Sequence, residues 1–324
     1  MPTIDLYNTD ISDIEKNEYL FKIKVLREYM SKSENLLPVE IDFLKANFSL
    51  LIAIVPYWNQ KINSFKLPFE RLVINEDVSP NNSRLQSLVN LRYPPLSIAD
   101  KIDYNRASLK GTCIFYAGSM GMLPITVEVQ PKAGQMITSS KWKFNAKREL
   151  KFVNICFSHQ SAIKNHKELW DDYKTFQECL KQMQPNNKEV VIEVTKFIED
   201  AFTKTVSPNK RQGYIMSALI ADYFFNNPDD PVDAIYYPSV PNRGSAMNIA
   251  IKPGVVDELF DMIEASESIV FSDPASGKGG WFSFGTAKCT SYDKDSLKLE
   301  WQQSQIPKDH AINEIIKSYD IKFD

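Results

Sequence analysis

Between residues 113 and 157 the chain reads CIFYA (Cys113–Ala117), ITVEV (Ile125–Val129), MIT (Met136–Thr138) and LKFVNICF (Leu150–Phe157). These runs are short, rich in β-branched and aromatic residues, and bounded by Gly, Pro or Ser, the pattern of strands. Upstream the texture differs. Residues 11–31 space Ile14, Tyr19, Phe21, Val25 and Leu26 near helical intervals with Lys and Glu between, which predicts an amphipathic helix. Pro38, Glu40 and Asp42 suit the first turn of a second helix running through Phe43, Leu44, Phe48 and Leu51, with Pro56 to kink or end it. Downstream, helices are expected over about 165–182, 188–203 and 213–225, then strands at Ala234–Tyr237 and Met247–Ile251. Pro253 opens a short helix, PGVVDELFDMI, and runs around Trp281–Phe284 and Leu297–Trp301 resemble a hairpin. Strands mix with helices without strict βαβ alternation, so the expected class is α+β. Asn75–Arg84 is polar and holds Pro80 and three Asn, which reads as a linker. It divides a helical N-terminal domain, residues 1–85, from a domain over residues 86–324.

The chain has 324 residues, 43% hydrophobic and 24% charged, which excludes a disordered chain. Lys+Arg number 38 against 41 Asp+Glu, a net charge of −3. Residues 1–90 hold 10 basic and 12 acidic side chains, so no basic half is hidden by averaging. A dedicated nucleic-acid binder needs a Lys/Arg excess that is missing here. The start, MPTIDLYNTD, lacks a basic segment followed by an apolar one and is not expected to act as a secretory signal. The apolar run Phe48–Trp58 falls well short of the ~20 residues of a membrane span and reads as a buried helix segment. Cys113, Cys156, Cys179 and Cys289 lie far apart with no CxxC pair. Reduced thiols in a cytoplasmic protein, with no disulfide framework and no zinc site, are expected.

Two tempting motifs fail on chemistry. Ser276–Gly280 (SGKGG) lacks the GxxxxGK[ST] spacing and the strand–helix frame of a phosphate loop, and reads as a surface loop. His159 and His166 are seven apart with no third ligand nearby, so no metal is predicted.

Four other stretches carry information together: Leu91-Arg92-Tyr93-Pro94-Pro95; Tyr104-Asn105-Arg106-Ala107-Ser108, leading to Ile114-Phe115-Tyr116-Ala117; Thr126-Val127-Glu128-Val129-Gln130-Pro131; and Ala234-Ile235-Tyr236-Tyr237-Pro238-Ser239-Val240. In this order they resemble the RES-domain family, named for its Arg, Glu and Ser. Arg92, Arg106, Tyr116, Glu128 and Ser239 occupy the family positions, with Tyr93 in the aromatic place beside the first Arg. The resemblance spans roughly residues 86–255. It departs at Arg106-Ala107-Ser108, where the family often has Asn, and at Val127, where Ala commonly precedes the Glu. The long interval from Glu128 to Ser239 implies a helical insertion around 160–205.

The resemblance implies an ADP-ribosyltransferase-like core acting on NAD+ as substrate. It also implies a toxin or defence effector that cleaves the nicotinamide–ribose bond, with a cognate antitoxin as partner. Arg92 and Arg106 offer planar forks for pyrophosphate oxygens. Tyr93 and Tyr116 can stack on nicotinamide, and Ser239 can hold a carboxamide or phosphate. Glu128 would stabilise the oxocarbenium-like ribose, and by strand alternation it shares a face with Thr126, opposite Val127 and Val129. The plainer alternatives are surface salt bridges for the arginines, core packing for Tyr116, a solvated edge for Glu128 and a turn cap for Ser239. Within the same fold, the alternative activities are a protein ADP-ribosyltransferase and a non-catalytic NAD+-binding or interaction module. Nicotinamide leaves neutral from a pyridinium, so no proton-shuttling His is required, in keeping with only three histidines.

Overall fold

The computed structural model describes residues 10–51, 60–62, 64–65, 68–79, 82–118, 121–158, 163–164, 167–207, 209–243, 245–276, 280–303 and 310–318. Pro56, His159, His166, the apolar run beyond Leu51 and the middle of the Ser276–Gly280 loop lie outside these residues. The described strands are β1 Gln60–Ile62, β2 Phe69–Ile74, β3 Phe115–Gly118, β4 Met136–Phe144 and β5 Leu150–Asn154, followed by β6 Ala234–Pro238, β7 Met247–Ile251, β8 Phe260–Ser272, β9 Phe282–Tyr292 and β10 Leu299–Gln303. Strands and helices are mixed, as the class reading expected.

The chain forms two compact units, each assembled from three separate stretches. The first takes Met1–Ile62, Leu96–Ile114 and Glu149–Lys252; the second takes Asn63–Pro95, Phe115–Arg148 and Pro253–Asp324. A boundary at residue 85 falls inside the second unit's first stretch, so the units do not coincide with residues 1–85 and 86–324.

In the first unit the strand order is β1-β5-β6-β7, with β5 and β6 parallel and the outer pairs antiparallel. Parallel neighbours need a long crossover. The helices Lys167–Gln182, Pro185–Thr203 and Ile215–Asn226 supply it, so the segment read as an insertion is the connection between β5 and β6. The first helix, Asp13–Ser31, opens on a capping box: Ser12 Oγ accepts from Glu15 N–H at 3.3 Å, and the Glu15 carboxylate accepts from Ser12 N–H at 2.8 Å. It lies along Pro185–Thr203 and buries Ile23 and Leu26. Ile14 and Phe21, expected on its buried face, are 81% and 64% exposed. At 100° per residue both fall on the stripe opposite Ile23. Arg27 pairs with Asp200 at 2.5 Å, and Lys204 Nζ donates to the Met30 carbonyl at 2.6 Å at the helix's far end.

In the second unit the order is β3-β2-β4-β8-β9-β10, antiparallel throughout. The expected hairpin near the C-terminus is β9 with β10. The predicted helix PGVVDELFDMI ends at Leu259, and its last four residues enter β8. On one sheet face the Phe260 ring centroid lies 5.7 Å from that of Phe69 and 5.5 Å from that of Phe144.

The ITVEV run is not a strand. Met122–Val129 is an α-helix, entered from Gly121 at φ 91° and stopped by Gln130 at φ 53° before Pro131. Pro124 sits in the first turn, where its missing N–H is not needed. Ile125 packs with Leu72, Ile137 and Val270, and Val129, one helical turn on, joins the same cluster. Burial of this apolar stripe outweighs the β preference of Ile, Thr and Val.

Asn75–Arg84 is not a linker either. Asn75 is buried: its Oδ1 accepts from the Thr138 hydroxyl at 2.8 Å and its Nδ2 donates to the Ser83 carbonyl at 2.8 Å. Asn82 bonds both the Gly134 carbonyl and the Met136 N–H. Asparagines that mark a polar loop in sequence here satisfy backbone groups inside the fold.

Candidate functional site

The predicted site residues divide between the units. Arg92, Tyr93, Tyr116 and Glu128 belong to the second, and Arg106 and Ser239 to the first.

Arg92 and Tyr93 follow a 3₁₀ turn, Leu88–Leu91, anchored by the fully buried Leu88 and Leu91. Both reach the same carboxylate. Arg92 Nη1 lies 3.2 Å from Asp257 Oδ1, and the Tyr93 hydroxyl donates to Asp257 Oδ2 at 2.5 Å. Asp257 comes from the helix Pro253–Leu259. Sequence reading did not single it out, because an acid in a short amphipathic helix carries no distinguishing signal. Arg92 Nε is buried and without a hydrogen-bond partner.

Tyr116 is half-buried in β3, and its carbonyl accepts from Arg71 Nη1 at 2.9 Å. The Arg71 guanidinium stands 5.4 Å from the Phe115 ring centroid. Burial pulls Arg71 down to about 10, with the neighbouring Tyr116 opposing that fall. Arg71 is a second residue that sequence reading passed over; its one signal is a guanidinium directly before the apolar run Leu72-Val73-Ile74.

Glu128 lies in the last turn of the Met122–Val129 helix and is half-buried. On a helix, residues 126 and 128 are about 200° apart, so Thr126 and Glu128 do not share a face. The last turn is where the helix dipole disfavours a carboxylate.

Arg106 and Ser239 are engaged within the first unit. Arg106 Nη1 donates to the carbonyls of Phe202 at 2.5 Å and Lys204 at 3.1 Å, and its guanidinium lies 4.9 Å from the Tyr214 ring centroid. It closes the C-terminal end of Pro185–Thr203, whose last carbonyls have no intrahelical partner. Ser239 is fully buried; its N–H donates to the Ala246 carbonyl at 2.8 Å. Its Oγ accepts from Asn242 N–H at 3.3 Å and Asn242 Nδ2 at 2.7 Å. This is the turn-cap geometry.

No family model, no curated protein and no solved structure matches the chain. Among the described residues, no group of three or more His, Cys, Asp or Glu could hold a metal ion, and no helix is long and apolar enough to cross a membrane. The four cysteines form no disulfide, and Cys113, Cys156 and Cys289 are buried. What the second unit does assemble is a half-exposed Arg–Asp–Tyr cluster, and on β2 and β3 a guanidinium beside a tyrosine.

Proposed function

We propose that this chain is a RES-type enzyme with an ADP-ribosyltransferase-like core that consumes NAD+ by breaking the nicotinamide–ribose bond. The observation that carries the reading is the ordered set Arg92, Arg106, Tyr116, Glu128 and Ser239 in the sequence. Two local features support it. Arg92 is fixed through Nη1 by Asp257 while its side chain stays 25% exposed, so the guanidinium keeps further N–H donors for a phosphate oxygen. Glu128 stands where the helix dipole works against it, and residues that break a local rule concentrate at functional sites.

In this reading the C1′–N bond breaks heterolytically, its electron pair returns to the pyridinium nitrogen, and neutral nicotinamide departs. The Glu128 carboxylate offsets the positive charge on the ribose and orients the water that adds to C1′, and the proton that water loses passes to the carboxylate and on to solvent. Tyr93, its hydroxyl held by Asp257, presents an aromatic face for nicotinamide. Arg106 and Ser239 have less to offer, since their polar atoms bond a helix end and a turn. That engagement favours a second reading, a non-catalytic module that binds NAD+ through the second unit.

Purified protein incubated with NAD+ and assayed for free nicotinamide separates the two. The enzyme reading expects release, lowered by roughly 10²-fold or more in Glu128→Gln. Saturable NAD+ binding without release supports the module. Equal release by wild type and Glu128→Gln removes Glu128 from the chemistry. Label from NAD+ appearing on protein rather than as free ADP-ribose identifies a protein acceptor.

A further inference from the structure

Buried or half-buried arginines in this protein are normally supplied with acceptors. Arg84 places Nε and Nη2 on Glu267; Arg27 has Asp200, Arg92 has Asp257, and Arg106 has two helix-end carbonyls. Arg71 has less than any of these four: one carbonyl and no carboxylate. Its guanidinium has five N–H donors and, among the described residues, makes one hydrogen bond, from Nη1 to the Tyr116 carbonyl. Its Nε is shut off from solvent with no acceptor, and among the described residues no carboxylate pairs with it. A desolvated guanidinium with so few acceptors is costly unless an anion completes it.

The surroundings suit such an anion. Arg71 pairs with Ser140 on β4, and so shares a sheet face with Phe69, Val73 and Trp142. The Phe115 ring lies against the guanidinium, and the phenol of Tyr116 is within electrostatic reach. Ser140 Oγ is already occupied as acceptor for the Trp142 indole N–H at 2.8 Å. Arg71 as a whole residue is half-buried.

We propose that the second unit carries an oxyanion site held by Arg71 on β2, taking a phosphate-class anion through the free donors of the guanidinium. The site does not require that NAD+ be cleaved. Free phosphate and the phosphates of a nucleotide share the chemistry and differ in what else they bring.

The test is thermal melting of the full chain with orthophosphate, pyrophosphate or NAD+ at ionic strength held constant with chloride. A saturable rise in Tm with at least one of them is expected, absent in Arg71→Gln and needing roughly tenfold more ligand in Arg71→Lys. A response to orthophosphate or pyrophosphate assigns free phosphate, whereas a response to NAD+ alone assigns an esterified one. Should Arg71→Gln fail to fold, phenylglyoxal labelling of native wild type followed by mass spectrometry of the Arg71 peptide gives the same answer: the responding anion protects Arg71. No saturable rise with any of the three, an equal rise in a folded Arg71→Gln, or an unprotected Arg71 overturns the proposal. Orthophosphate and pyrophosphate release no nicotinamide, so this outcome is read independently of the enzymatic one.

Discussion

Arg84 and Glu267 form a two-point ion pair in the second unit: Arg84 Nε and Nη2 lie 3.2 and 2.9 Å from Glu267 Oε1, with the carboxylate wholly buried and the Arg side chain only 9% exposed. Thr286 adds a hydroxyl donor to the same carboxylate, and Arg84 also lies 5.8 Å from the Trp301 ring centroid. Removing one partner leaves a charge without compensation. Arg84→Met is expected to cost about 3–5 kcal/mol in urea unfolding, and Arg84→Met with Glu267→Leu to recover most of it. Equal losses in the single and double variants would contradict this.

The helix Pro185–Thr203 depends on Arg106 for its final carbonyls. Arg106→Gln is expected to lower stability by about 1–2 kcal/mol, with Arg106→Lys retaining part of it. The same pair separates structural from ligand-binding roles. If Arg106 only closes the helix, the KM for NAD+ stays at the wild-type value in whichever variant remains folded.

Asp257 positions Arg92 and Tyr93 and is itself substantially exposed. Asp257→Asn should therefore change stability by less than about 1 kcal/mol. Under the NAD+ reading it should raise KM several-fold with little change in kcat, and Tyr93→Phe should reproduce part of that rise. Steady-state kinetics beside a melting curve checks both.

A row of charges crosses four strands of the second unit. Glu70 stands opposite Lys141, and Glu264 bonds Lys141 at 2.9 Å and Lys288 at 2.7 Å. Its two acids titrate in opposite senses. Burial pushes Glu70 above its ordinary 4.5, and its Oε2 has no partner. What stability Glu70 contributes is present below 4.5 and lost as pH rises through its folded value. Glu264 is held below 4.5 by hydrogen bonds from Lys288 and then Lys141, so its contribution is present above 4.5 and lost as pH falls through the folded value. Glu70→Gln should be more stable than wild type at pH 7, the gain vanishing by pH 4. Glu264→Gln should be less stable at pH 7, the deficit shrinking toward pH 3. Urea midpoints across this range test both signs.

The long helices were legible in the sequence, as were β5, β6, β7 and parts of β3, β4, β9 and β10, whereas β1 and β2 lie in the region read as a helical domain and β8 begins where a helix was read to continue. The misreadings share a cause. In ITVEV, local β preference lost to a tertiary contact: Ile125 and Val129 are one helical turn apart and fit the Leu72–Ile137–Val270 patch together. In Asn75–Arg84, polar side chains taken as solvent-seeking turn inward to satisfy backbone groups. For the site, residue types were visible but their hydrogen-bond partners were not. Arg106 looks the same in sequence whether it holds a phosphate or the carbonyls of residues 96 and 98 positions away. Asp257 and Arg71 gain meaning only from neighbours that are distant along the chain.

Because each unit is stitched from three stretches, no cut in the chain releases either one whole. During synthesis the first unit stays incomplete until its last strand, β7, has emerged near residue 251, and the second lacks β8, β9 and β10 until still later. Both halves must therefore hold unfinished sheet edges open together, a period in which unpaired strands are most exposed to mispairing. For this protein the vulnerable step is the late delivery of the stretch from Pro253 onward.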